Sequence, residues 1–358
     1  MARETLGWLL SMQHREGGFF TALDAESEGE EGRYYTWTEG ELKEALAEDF
    51  PLARRYFALG KDLGERSVLT AWGEEEVAQA LGETFPLWRE KVRARLLAAR
   101  RKRYPPSLDD KVLADGSALA VRALAEASRL LRERSYLEAA RRGAHFLLEK
   151  MRSNGLLRHT WWRGALGKEA FLADQAFAAL ALLEIYGATG EWPYLEQARV
   201  LAEKARVEFS PGYAPLPLPA IGVEEGAIPT GESALAEAFW RLGGILAEER
   251  YRAWARELLA ARALWLGRYP HALPGFLLVH RLLGEGSELA LPLPSPLAEE
   301  ALGLYLPLTQ AILGPEEALP SLRGKEAGKG YLCTRGACRR PVGDLGELLR
   351  EVEEVYGR

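Results

Sequence analysis

Leu113-Ala-Asp-Gly-Ser-Ala-Leu-Ala-Val-Arg-Ala-Leu124, Leu172-Ala-Asp-Gln-Ala-Phe-Ala-Ala-Leu-Ala-Leu-Leu183 and Pro229-Thr-Gly-Glu-Ser-Ala-Leu-Ala-Glu-Ala-Phe239 share one pattern. Each opens on a short polar cap and runs into an Ala- and Leu-rich helix with few charges. The copies recur at a period of roughly 57 to 59 residues. About twenty residues after each start a second helix follows, at Tyr136-Leu-Glu-Ala-Ala, Tyr194-Leu-Glu-Gln-Ala and Tyr251-Arg-Ala-Trp-Ala. The second helices carry charge on one face, whereas the first are apolar or small all round. A helix surrounded by neighbours tolerates apolar residues on every side, and a helix at the surface keeps a wet stripe. The repeat is therefore an inner helix followed by an outer one.

Such hairpins predict an all-α fold, an (α/α)6-type toroid. The usual open solenoids repeat at about 33 to 47 residues, which is shorter than this period. Leu9-Leu10 followed by Gly17-Gly18 matches the end of an outer helix at Leu147-Leu148 followed by Gly155. The sequence thus opens inside a hairpin, and the toroid is expected to be incomplete. Further helices are predicted over Glu39–Ala47, Glu74–Leu81 and Phe85–Arg103, the last of them basic. Past Pro270 the pattern changes to short strands around 287–293, 310–314 and 330–333 and a closing helix over Leu345–Tyr356. The expected organisation is a helical toroid over 1–285 with a small mixed α/β appendage over 286–358.

Composition narrows the function classes. A net charge of −6 and a pI near 5.7 lack the basic excess of a nucleic-acid binder. No run reaches the roughly 18 apolar residues of a membrane span. Two cysteines in 358 residues exclude a disulfide scaffold and fit a reducing cytoplasm. No glycine-rich phosphate loop, Gly-x-Ser-x-Gly elbow or His-Glu-x-x-His is present. The five histidines show no metal-like spacing, so neither metal nor cofactor is expected.

Residues 16 to 37 read Glu-Gly-Gly-Phe-Phe-Thr-Ala-Leu-Asp-Ala-Glu-Ser-Glu-Gly-Glu-Glu-Gly-Arg-Tyr-Tyr-Thr-Trp. Together with Asp109-Asp110-Lys111, Ala173-Asp174-Gln175, Pro229-Thr-Gly-Glu-Ser and the cysteine pair at 333 and 338, this resembles a family of thioredoxin-domain-containing and spermatogenesis-associated proteins. The resemblance implies a C-terminal toroid similar to six-hairpin glycosidases and sugar epimerases. The sequence also departs from that family. There is no Cys-x-x-Cys and no thioredoxin-like segment, and the family's first hairpin has no counterpart. Asp115-Gly116-Ser117 stands where the family has Asp-Trp-Asn, Asp174-Gln175 for Asp-Asp-Tyr, and Gly231-Glu232-Ser233 for Gly-Asn-Ser.

Two kinds of candidate site follow. Asp24 and Glu26 offer paired carboxylates for glycoside acid–base chemistry, beside Tyr35 and Trp37 as stacking rings. The alternative is a solvated acidic loop ahead of a helix capped by Thr38. Asp109, Asp110, Lys111, Asp115, Asp174, Thr230 and Glu232 would gather where the inner helices begin. Capping explains them there, and helix N-termini converging on one cavity also suit a polyhydroxyl ligand. Trp161 and Trp162, after His159, fit either a sugar platform or core filler. Cys333 and Cys338 could bridge if a turn brings them together, while a reducing compartment favours a free, buried pair. The expected partners are a small sugar-like ligand or a protein that completes the toroid, the second reading being that of a non-catalytic interaction module.

Overall fold

The computed structural model describes residues 1–209 and 225–357. The chain divides into two compact units, one formed by Met1–Phe20 with Lys111–Arg358 and one by Thr21–Asp110. The division does not fall at 285/286, and the C-terminal segment shares its unit with the hairpins. In chain order the helices are α1 (Ala2–Ser11), α2 (Glu39–Leu46), α3 (Phe50–Tyr56), α4 (Glu74–Leu81), α5 (Phe85–Arg100), α6 (Ala114–Leu130) and α7 (Arg134–Lys150). They continue with α8 (Leu172–Thr189), α9 (Trp192–Phe209), α10 (Gly231–Leu246), α11 (Glu249–Arg268), α12 (Pro274–Glu285), α13 (Pro296–Ala301) and α14 (Leu345–Tyr356).

In the first unit α6 pairs with α7, α8 with α9 and α10 with α11, while α6, α8, α10 and α12 pack against one another in that order. This is the inner-and-outer alternation of an α/α toroid, present in part. Every residue of α8 from Asp174 to Gly187 is buried. Its partner α9 buries a stripe of Leu195, Ala198, Leu201, Ala202 and Ala205, the spacing of one helical face. α1 lies against the first hairpin, where the Gln13 amide donates to the Ala139 carbonyl at 3.0 Å. The turn that follows requires glycine: Gly17 has φ 123°, and a Cβ there would collide with the Arg142 carbonyl.

The inner helices hold a charge network that their apolar look conceals. Arg129 of α6 pairs with Glu184 of α8 at 3.0 Å. Arg122 of α6 and Arg241 of α10 both pair with Glu237 of α10, at 2.6 and 2.8 Å. Arg241 also reaches Glu184 at 3.6 Å and Gln310 at 2.9 Å. Burial alone pushes Glu237 up, but the two guanidiniums more than reverse this and hold it at about 2. The cavity beside Arg129, Glu184 and Arg241 is about 30 Å³. A small-molecule site needs roughly 300 Å³ or more. The network ties helices together and leaves no room for a ligand.

The C-terminal sheet has the strand order Thr309–Gly314, Ser287–Pro292, Tyr331–Thr334, Ala337–Cys338. Its first two strands are parallel, so a crossover is required, and α13 lies between them. Leu289, Leu291, Leu297, Leu313, Val342 and Leu348 form a core of their own. The cysteines are not the free pair expected from a reducing compartment. Cys333 and Cys338 are disulfide-bonded, and Cys338 is exposed rather than buried. They face each other across an antiparallel pair closed by Arg335 and Gly336, both at positive φ as a two-residue hairpin turn demands. That turn sets the cysteines opposite one another, which their separation along the sequence did not reveal.

The second unit has a separate core of Trp37, Leu42, Leu46, Tyr56, Val77, Trp88, Val92 and Leu96. Thr38 caps α2, as the sequence predicted, and Glu41 completes a reciprocal box with it. Pro51, in the first turn of α3, starts a helix that the periodicity did not show.

Candidate active site

The starts of the inner helices are assembled by short strands. Leu108–Leu113 leads into α6 and pairs through Val112 and Leu113 with Trp161 and Thr160. This register places His159 beside the first residue of α6, whose Ala114 N–H donates to the His159 carbonyl at 2.8 Å. The His159 ring then meets the start of α8. Its Nδ1 lies 2.8 Å from Oδ1 of Asp174, while Oδ2 of Asp174 accepts from the Phe171 N–H at 2.8 Å. Asp174 is fully buried and the His159 side chain is about one quarter exposed. Burial raises the Asp174 carboxyl; His159 and the Phe171 amide oppose that rise, and the Asp115 charge adds to it. Donor atoms of Asp115, His159 and Asp174 all lie within 4.8 Å of one another.

The chemistry follows from the pairing. An ionised Asp174 accepts the Nδ1 proton and fixes the ring so that Nε2 carries the lone pair. A second carboxylate, Asp115, stands near the same imidazole. One nitrogen and two carboxylates are also acceptable donors for a divalent cation. Phe171 meets the imidazole edge to face at 4.8 Å between ring centres. Phe171 and Trp162 are each about half exposed, whereas Trp161 is buried.

The other expected residues are placed as follows. Thr230 caps α10, accepting from the Ser233 N–H at 3.3 Å. Glu232 accepts from Arg262 at 3.0 Å. Glu225, which sequence reading passed over, takes the Thr230 and Gly275 amides and so holds the starts of α10 and α12. Asp109, Asp110 and Lys111 lie in a strand rather than at a helix start. In the second unit Asp24 accepts from the Glu26 N–H at 3.1 Å and the Ser107 hydroxyl at 3.0 Å, bonds that lower its carboxyl. Glu26 is exposed and opens a β-hairpin, opposite Glu31. Tyr35 is half exposed with Arg100 over its ring, while Trp37 is buried and Arg103 covers it at 4.0 Å. Trp37 thus belongs to the core and offers no open stacking face.

His159 is the residue sequence reading missed. Nothing in its spacing announces Asp174, because a strand register brings them together. The repeated aspartate at the starts of α6 and α8 was the available signal.

No family model matches the chain. Among curated proteins, human spermatogenesis-associated protein 20 is 28% identical over 74% of this chain and 40% of its own length. An uncharacterised protein of Caenorhabditis elegans is 26% identical over 98% of this chain and 56% of its own. The chain is similar in sequence to spermatogenesis-associated protein 20. It spans about half the length of the curated relatives it matches. Solved structures that overlap it include proteins named as carbohydrate-acting enzymes. D-mannose isomerase has a TM-score of 0.37 at 15% identity, covering 73% of this chain and 69% of its own. The GH76 α-mannanase of Bacteroides thetaiotaomicron has a TM-score of 0.35 at 14% identity, covering 72% and 81%. At scores this low the overlap says nothing about chemistry.

Proposed function

We propose that His159, Asp174 and Asp115 form the proton-transfer centre of a carbohydrate-active pocket. The observation that carries the reading is the 2.8 Å contact between His159 Nδ1 and the fully buried Asp174. That geometry gives a base whose orientation is fixed from behind and whose other nitrogen is free to work. General bases so positioned contribute about 10²- to 10⁴-fold to rate. Asp115 accepts hydrogen bonds from ligand hydroxyls, and the half-exposed ring of Phe171 beside the imidazole suits the apolar face of a pyranose. The reaction we assign is removal and return of the proton on the carbon beside a sugar carbonyl, as in epimerisation or isomerisation.

The test is proton NMR in deuterated buffer with mannose, glucose and cellobiose. The intact chain should wash deuterium into C2. His159→Ala should slow this by at least about 100-fold. The double variant Asp24→Asn, Glu26→Gln should leave the exchange unchanged. Loss of exchange in that double variant alone would move the catalytic pair to Asp24 and Glu26, and no exchange by the intact chain would refute the reading.

A further inference from the structure

We propose that the Cys333–Cys338 disulfide is a thiol-exchange site for a small, carboxylate-bearing thiol. The site is separate from His159 and does not depend on its role. The disulfide lies in the wall of a groove of about 610 Å³, a volume suited to a small molecule. Its two cysteines are unequally placed: Cys338 is exposed, whereas Cys333 is 7% exposed. An incoming thiolate therefore reaches Cys338, and Cys333 is the leaving sulfur.

The charges around the groove select the thiol. Arg252 and Arg256 line it but are engaged by Glu288 and Glu249. Lys325 and Arg335 line it with no carboxylate partner among the described residues. Arg335 sits in the turn that joins the two cysteines. Two uncompensated cations beside an accessible disulfide attract an anion and repel a cation. Glu288 pairs in register with Cys333, which places the Arg252–Glu288 ion pair next to the leaving sulfur.

The exchange balances in two steps. A thiolate attacks Sγ of Cys338, the S–S bond breaks, and its electron pair passes to Sγ of Cys333, which takes up a proton. A second thiolate attacks the incoming group's sulfur in the mixed disulfide. This releases a small-molecule disulfide and leaves Cys338 reduced. Two small thiols are oxidised and one protein disulfide is reduced.

The test exposes the folded full chain to glutathione, which carries carboxylates, or to cysteamine, which carries an ammonium. Opened thiols are trapped by alkylation and located by mass spectrometry, with each rate normalised to that on a free, unstructured disulfide. Glutathione should open the bond about tenfold faster than cysteamine. Lys325→Glu and Arg335→Glu should erase that preference with the circular dichroism unchanged. Cys333→Ser, given glutathione disulfide instead, should accumulate a glutathione adduct on Cys338 with release of one glutathione thiol. A bond that glutathione opens only once the chain is unfolded, or one opened solely by a protein dithiol, overturns the proposal. Equal normalised rates for the two thiols overturn the ligand class.

Discussion

At Glu237 the fold makes a carboxylate more acidic by surrounding it with arginine. The carboxyl stands at about 2 against an ordinary 4.5, because Arg122 and Arg241 outweigh its burial. A depressed carboxylate stabilises the fold above its unfolded value, and that contribution disappears as pH falls through the folded value. The window is therefore pH 4.5 down to 2, and a shift of this size corresponds to about 3 kcal/mol. Glu237→Gln should lower the unfolding free energy by roughly that amount at pH 7, since it leaves two buried guanidiniums without their partner. Urea melts at pH 7 and pH 3 would show the difference shrinking at the lower pH. A constant difference would mean that Glu237 acts through packing and not through charge. Asp174 behaves oppositely: its carboxyl is raised, so its contribution is present at low pH and is lost as pH rises through the folded value. Neither residue could be ranked from sequence, because both shifts depend on groups brought from other helices.

At the level of elements, what was legible followed local periodicity, and what was hidden followed tertiary register. The starts of α6, α8 and α10 were readable because each joins a short polar stretch to an apolar run, although α6 and α8 have Leu113 and Phe171 at the cap position and Asp115 and Asp174 fall inside the first turn. Thr230 caps α10 through a side-chain bond that its residue type predicts. The hairpin at Cys333 was hidden because Arg-Gly is a weak turn signal, yet both of its residues adopt positive φ. α12 was hidden because the helical pattern changes past Pro270, although Pro274 occupies the first position of a further helix. The Gly17-Gly18 turn was visible as a motif, but its reason is steric. Gly17 has φ 123°, and a Cβ on Gly18 would come within 2.7 Å of the Phe146 ring. Gly17→Ala should destabilise the first unit by about 1–3 kcal/mol, combining backbone strain with a clash against Arg142. Thermal melts would register this, and an unchanged Tm would mean that α1 is not held by this turn.

For the whole molecule, the telling fact is that two units carry separate cores. Leu46 is fully buried among Trp37, Tyr56, Val77 and Trp88, all within Thr21–Asp110. The inner helices bury their own set around Phe177, Leu180, Phe239 and Trp240. A cavity at a buried leucine costs about 2–5 kcal/mol, and only the cooperative unit containing it bears that loss. Leu46→Ala should therefore accelerate amide hydrogen exchange across α2, α3, α4 and α5 while α8 keeps its protection. Exchange that rises equally in α8 would mean the two units unfold as one, with contact density failing to mark the folding boundary. If α8 stays protected, the deuterium wash-in assay can be run on Leu46→Ala as well. Turnover that survives would place the proton-transfer centre within the first unit, where Asp115, His159 and Asp174 all reside. Turnover lost alongside an intact α8 would instead make the second unit a participant in catalysis.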